Sequence, residues 1–132
     1  MKHFMLDTNT VSYLMRNHPQ VIKRVIAKPM ASLCISVITE SELLFGIAKR
    51  PGAKRLHVMV REFLKRVEIF PWDSTLSEGY GHLRAKMEHE GKNLAPFDLL
   101  IAAHALTKKI TLVTNDQAFK QVPGLNLEDW TL

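Results

Sequence analysis

The stretch Lys2-His3-Phe4-Met5-Leu6-Asp7-Thr8-Asn9 decides how the rest of the chain is read. Residues 2–6 form a short apolar run that ends at an acid, as a buried central strand would. Thr8 or Asn9 then caps a helix reaching about Arg16, and Asn17-His18-Pro19 stops it, because a residue before proline is steered away from helical backbone. The same alternation continues outward. Strands are expected at Leu33–Val37, Glu68–Phe70, Ile110–Val113 and Leu125–Leu127. Helices are expected over 19–28, from Thr39 to about Lys49, over 53–67, and from an Asp73-Ser74-Thr75 cap to about Glu90, with Gly91 as the stop. Pro96 and Phe97 lead into Asp98 and the apolar helix Leu99–Leu106, and Asp116–Phe119 reads as a helical turn.

Short strands alternating with helices imply an α/β fold in three α/β/α layers, with a central, mainly parallel sheet of four to five strands. The chain has 132 residues and no repeat, low-complexity tract or linker, so residues 1–132 read as one domain. Hydrophobic residues make up 46% and charged residues 23%, a balance that supports one real core and places the chain among ordinary globular proteins. Cys34 is the single cysteine and lies in an apolar run, so it forms no internal disulfide; a reducing cytoplasm is the expected compartment. No stretch has the ~20 apolar residues needed to span a bilayer, and the first residues turn polar too soon for a secretory signal. A net charge of +5 favours a polyanionic partner such as RNA or DNA.

In a parallel sheet the ligand crevice lies beyond the carboxyl ends of the strands. Asp7 and Asp116 follow expected strands there, Glu42 lies just past a third, and Asp98 opens a helix on the same side. Each has a second reading in local structure. Asp7 and Asp98 are suitable helix caps, Asn115-Asp116 is a common turn, and Thr39-x-x-Glu42 is a capping box, which on local sequence is the better reading of Glu42. Glu40 lies two residues from Glu42, roughly 200° around the helix, and so points elsewhere.

What separates the readings is convergence. Carboxylates gathered in one crevice repel one another, and a fold that tolerates them usually holds a divalent cation. Oxygen ligands suit Mg²⁺ or Mn²⁺. His3, His18, His57, His82, His89 and His104 show no zinc-like spacing. Such an ion neutralises charge on a phosphate and acidifies water, and a free carboxylate serves as general base. Thr8, Asn9, Ser36, Thr114 and Asn115 lie beside the acids, either as supporting residues that orient waters or a phosphate oxygen or, equally, as caps. Lys49, Arg50, Lys54, Arg61 and Lys65 form either a phosphate-tracking surface or a solvated helix face. Trp72 and Trp130 read better as packing residues than as base-stacking platforms.

Four segments resemble the motifs of PIN-domain nucleases in order and spacing: Phe4–Asn9, Ile35–Leu43 with Gly46, Pro96–Ala103, and Leu112–Asp116 with Phe119. The tail from Val122 to Trp130 is similar to that of the VapC toxin branch. The resemblance implies that Asp7, Glu42, Asp98 and Asp116 are catalytic and hold Mg²⁺ or Mn²⁺, with Asn115 able to share the role of Asp116. It implies a homodimeric endoribonuclease toxin that cleaves structured cellular RNA, tRNA or rRNA, and arrests translation. A cognate antitoxin would neutralise it, and operator DNA would be bound only through the toxin–antitoxin complex. Asp7-Thr8-Asn9-Thr10 is also similar to the nucleophile loop of haloacid-dehalogenase phosphatases, although Asn9 stands where that family has an acid. A third reading is a non-catalytic PIN-like domain that binds RNA or a partner, which the presence of all four acids disfavours.

Overall fold

The computed structural model describes residues 2–132. Its centre is β1 (Phe4–Leu6), all three of whose residues are buried. β2 (Leu33–Ser36) and β4 (Thr111–Val113) flank it, and β3 (Glu68–Phe70) and β5 (Leu127–Glu128) complete a sheet of order β3-β2-β1-β4-β5 in which every pairing is parallel. The chain leaves β1 towards β2 and later returns to its other side at β4, so the order reverses at β1. A reversal of this kind opens a crevice beyond the carboxyl ends of the strands, and Asp7 is the first residue past β1.

Strand side chains alternate between two cores, as a period of two dictates. Phe4, Leu6, Leu33, Ile35 and Val113 pack on one face with helices α1 (Thr8–Met15), α2 (Pro19–Ile26), α3 (Val37–Ala48) and α4 (Lys54–Arg66). Met5, Cys34 and Leu112 pack on the other with α5 (Ser74–His89) and α6 (Pro96–Lys108). The expected three layers are therefore present, with five strands. Truncating a fully buried residue such as Leu6 to alanine costs about 2–5 kcal/mol. Both tryptophans serve packing: Trp130 is buried against Phe4, and Trp72 sits edge-on to His104 and Tyr80. Burial, then the charge of Glu68, pushes the Cys34 thiol up to about 12, which makes it inert at neutral pH.

Several boundaries differ from expectation for local reasons. Asp7, not Thr8 or Asn9, caps α1: its Oδ1 accepts the Thr10 amide at 2.8 Å. α2 ends at Ile26 rather than 28, ahead of Pro29. β2 stops at Ser36 because the Ser36 hydroxyl accepts the Ile38 amide and starts α3 there. Thr39 thus lies inside the helix, and the capping box expected at Thr39 and Glu42 does not form. Asp98 does not cap α6 either; the helix begins two residues earlier, with Pro96 in its first turn and Ala95 at the cap position. The αL residue Lys109 (φ 56°) lets the Ile110 amide bond back to Ala105, so β4 begins at Thr111. β5 sits at Leu127–Glu128, two residues beyond the expected start, in register with Leu112 and Val113.

Candidate active site

Four elements bring the acids together. Asp7 is the junction of β1 and α1, Glu42 projects from the second turn of α3, Asp98 from the first turn of α6, and Asp116 precedes a 3-10 turn at Gln117–Gln121. Asp7 is buried; the other three are partly exposed. Burial, then the charges of Asp116, Asp7 and Glu42, raises the Asp98 carboxyl from its ordinary value to about 6. One carboxylate feels the three others, which is the electrostatic signature of a common site. Asp7 is likewise raised, mainly by burial and further by the charge of Asp116, while hydrogen bonds from Thr114 and Thr10 hold it back.

The cap and site readings of these acids turn out to be compatible, because a carboxylate has two oxygens. Asp7 Oδ1 caps α1. Asp116 Oδ1 accepts the Ala118 amide at 2.9 Å and caps the 3-10 turn. Glu42 Oε1 accepts the Thr8 hydroxyl at 2.7 Å, and that hydroxyl also faces Thr39 Oγ1 at 3.4 Å. Each local bond fixes one oxygen of a carboxylate, so a capping or hydroxyl-bonded acid still has a second oxygen with which to ligate. Thr114 links two of them: its hydroxyl steadies Asp7 and accepts the Asp116 amide at 3.0 Å. Thr10 ties α1 to the end of β4 through a 3.0 Å bond to the Val113 carbonyl.

The supporting residues divide. Thr8 and Thr114 bond directly to the acids. Ser36 instead caps α3 and meets the buried His104 at 2.7 Å from Nδ1. The Asn115 amide donates to the Tyr13 hydroxyl at 3.1 Å, and the charge of Asp116 acts on both Asp7 and Asp98. Asn9 is exposed on the wall of a neighbouring cleft. That cleft, about 340 Å³, runs from Thr8 and Glu42 over an apolar floor including Ile47 and Val60, with Arg16, Lys49 and Arg50 among its walls. Lys54, Arg61 and Lys65 lie exposed on α4 and do not line it, and Lys65 pairs with Glu62 at 3.2 Å. Arg16 and Tyr13 were not singled out from the sequence. Tyr13, four residues after Asn9 on α1, and Arg16, seven after it at the helix C-cap, share its face, and that spacing was the available signal.

The donor set around the crevice is all oxygen, and its acids resist simultaneous ionisation, which suits a hard divalent cation. Among the described residues no three His, Cys, Asp or Glu side chains converge closely enough to enclose an ion by themselves. Such an open set fits an ion that keeps several waters beside one or two carboxylates.

A parallel sheet with a switch point at β1 and four acids at its carboxyl end defines a class, and comparison with known proteins agrees. The PIN-domain family profile matches residues 4–125. The chain is 34% identical over 131 residues to the tRNA(fMet)-specific endonuclease VapC of Salmonella typhimurium, covering 98% of this chain and 99% of the relative. It is 36% identical over 131 residues to Ribonuclease VapC2 of Rickettsia felis, covering 96% and 97% of the two chains. The solved DNA-bound VapBC of Salmonella typhimurium superposes with a TM-score of 0.91 at 34% identity, covering 98% of this chain and 99% of that one. The chain belongs to the PIN-domain family, in its VapC ribonuclease branch. Among the described residues no helix is long and apolar enough to cross a membrane.

Proposed function

We propose that the chain is an Mg²⁺- or Mn²⁺-dependent endoribonuclease toxin that cleaves structured cellular RNA, tRNA or rRNA, and so arrests translation in the cytoplasm. The observation that carries this reading is the coupling of Asp98 to Asp116, Asp7 and Glu42 at the strand-end crevice. Asp7, Glu42, Asp98 and Asp116 would hold the ion between them, one or two carboxylates directly and the others through its waters, since no three of them converge closely enough to enclose it; when bound it would neutralise charge on the scissile phosphate and acidify water. Thr8 and Thr114 orient Glu42 and Asp7. The free carboxylate oxygen of an acid not engaged with the ion takes the proton of the attacking water as general base. Lys49 and Arg50, with Arg16, hold flanking phosphates along the cleft wall.

By analogy with its relatives, the chain acts as a homodimer and is neutralised by a cognate antitoxin, with operator DNA bound only through that complex. The support is the 34% identity to a relative solved as DNA-bound VapBC. Induced expression tests the reading in the cell. Growth should stop, sequencing of RNA 5′ ends should show a discrete new cleavage site, and Asp98→Asn should relieve both. Growth arrest without any new RNA end would overturn it.

A further inference from the structure

Two phenyl rings of the described residues are mainly exposed, Phe45 at 64% and Phe97 at 56%. Phe45 lies under the Lys49 ammonium, 5.0 Å from its ring centre. Phe97 belongs to neither apolar core, although the next residue but one, Leu99, is buried in the second. The helix explains the split: two residues correspond to roughly 200° of rotation, so anchoring Leu99 turns Phe97 outward. Its backbone is not loose. Pro96 restricts the first turn, and the Leu99 amide bonds to the Ala95 carbonyl at 2.9 Å. The chain therefore holds an aromatic face in water immediately beside Asp98, the acid most strongly coupled to the rest of the site.

We propose that Phe97 stacks on an unpaired base of the RNA next to the scissile phosphate; this rests on the ribonuclease reading above. RNA readers commonly take hold of splayed-out bases with aromatic side chains, and stacking tolerates any base because each has a π-face. The surroundings favour a base over a protein partner. A protein interface needs a contiguous apolar patch of several hundred Å², whereas Phe97 is the one large ring in a short exposed strip, preceded by the small Ala95 and Pro96 and followed directly by Asp98. The cationic cleft reaches the site at Glu42 and does not include Asp98. Phosphate contacts and base contact thus fall at different acids of the cluster, which fixes the strand across it: the cleft positions the backbone, and Phe97 seats the nucleotide.

The test uses the intact chain, a short fluorescein-labelled single-stranded oligoribonucleotide of mixed sequence with Ca²⁺ as the ion, and total RNA with Mg²⁺. Phe97→Ala should weaken oligonucleotide binding about tenfold and slow cleavage at subsaturating RNA to match, with much less effect at saturation. Phe97→Leu should behave like Phe97→Ala, because it keeps apolar bulk and loses the ring. Phe97→Trp should stay within about twofold of wild type, and its indole emission should be quenched by the oligonucleotide. Binding by Phe97→Ala unchanged while wild type binds and cleaves overturns the inference alone, as does full activity of Phe97→Leu. A dimeric wild type that becomes monomeric as Phe97→Ala in sedimentation also overturns it, because the ring then belongs to a protein interface. A wild type that neither binds nor cleaves RNA overturns the ribonuclease reading and this inference together.

Discussion

Glu62 on the outer face of α4 and Asp98 at the head of α6 show opposite ways of placing a carboxylate. Glu62 accepts from Lys65 at 3.2 Å and from Arg66 at 2.6 Å, and these bonds hold its carboxyl below the ordinary value. Asp98 is half-buried beside three other acids, and its carboxyl rises to about 6. The first arrangement suits solvent and salt; exposed pairs of this kind contribute little to stability. The second costs stability in the absence of a cation, and the fold retains it through caps and hydroxyls that pin each neighbouring acid. A site that opposes stability is a mark of function.

The largest effect should come from removing a member of the costly region. Asp7→Asn and Asp98→Asn should each lower metal-dependent RNA cleavage by about 100-fold or more. Asp98→Asn should also raise the melting temperature of the metal-free protein by roughly 2–5 °C, because repulsion is relieved. A melting temperature that falls in step with activity would mean Asp98 is structural. Next in size is the cleft wall. Lys49→Ala and Arg50→Ala should raise KM several-fold with little change in kcat, and each should reduce the slope of log KM against log salt by about 1.

A third expectation concerns pH. Asp98 is raised in the folded state, so its contribution to metal-free stability is full below its ordinary value and is lost as pH rises through about 6. His104 works in the other direction. It is buried among aromatic rings with Nε2 unpartnered, and burial, then the charge of Lys108, lowers it to about 4; stability is lost as pH falls from its ordinary value towards 4. Melting curves from pH 4 to 7 should therefore show opposing trends, separable by variant. Asp98→Asn should reduce the loss towards pH 7 to what Asp7 still contributes and leave the acid-side loss unchanged, and saturating Mg²⁺ should raise stability more at pH 7 than at pH 5. The smallest effect is the control: Glu62→Gln should leave cleavage within about twofold of wild type.

Much of this contrast could be read from residues, and its limits are physical. The β1 run was legible because its three residues are all buried, and Asp7 follows it directly. The helical faces of α4 and α5 were equally plain, since Val60, Phe63, Leu83 and Met87 fall at core spacing. The capping box offered by Thr39 and Glu42 did not form, because it lies one turn too late; Ser36 competes for the helix start and wins through its bond to Ile38. The tie of Asn115 to Tyr13 could not be read, because its partner lies 102 positions away. β5 was displaced because its register is set by β4 and not by its own pattern. The cleft was invisible for the same reason: Arg16, Lys49 and Arg50 meet only when α1 and α3 pack together.

The central claim is that the four strand-end acids form one metal-dependent centre. Its most direct test follows a labelled RNA through Mg²⁺, then excess EDTA, then excess Mn²⁺, with wild type and Asp98→Asn side by side. Wild type should cleave, stop and resume at the same position, and Asp98→Asn should leave the RNA intact throughout. Cleavage that continues in EDTA, or that Asp98→Asn performs at the wild-type rate, would contradict the account.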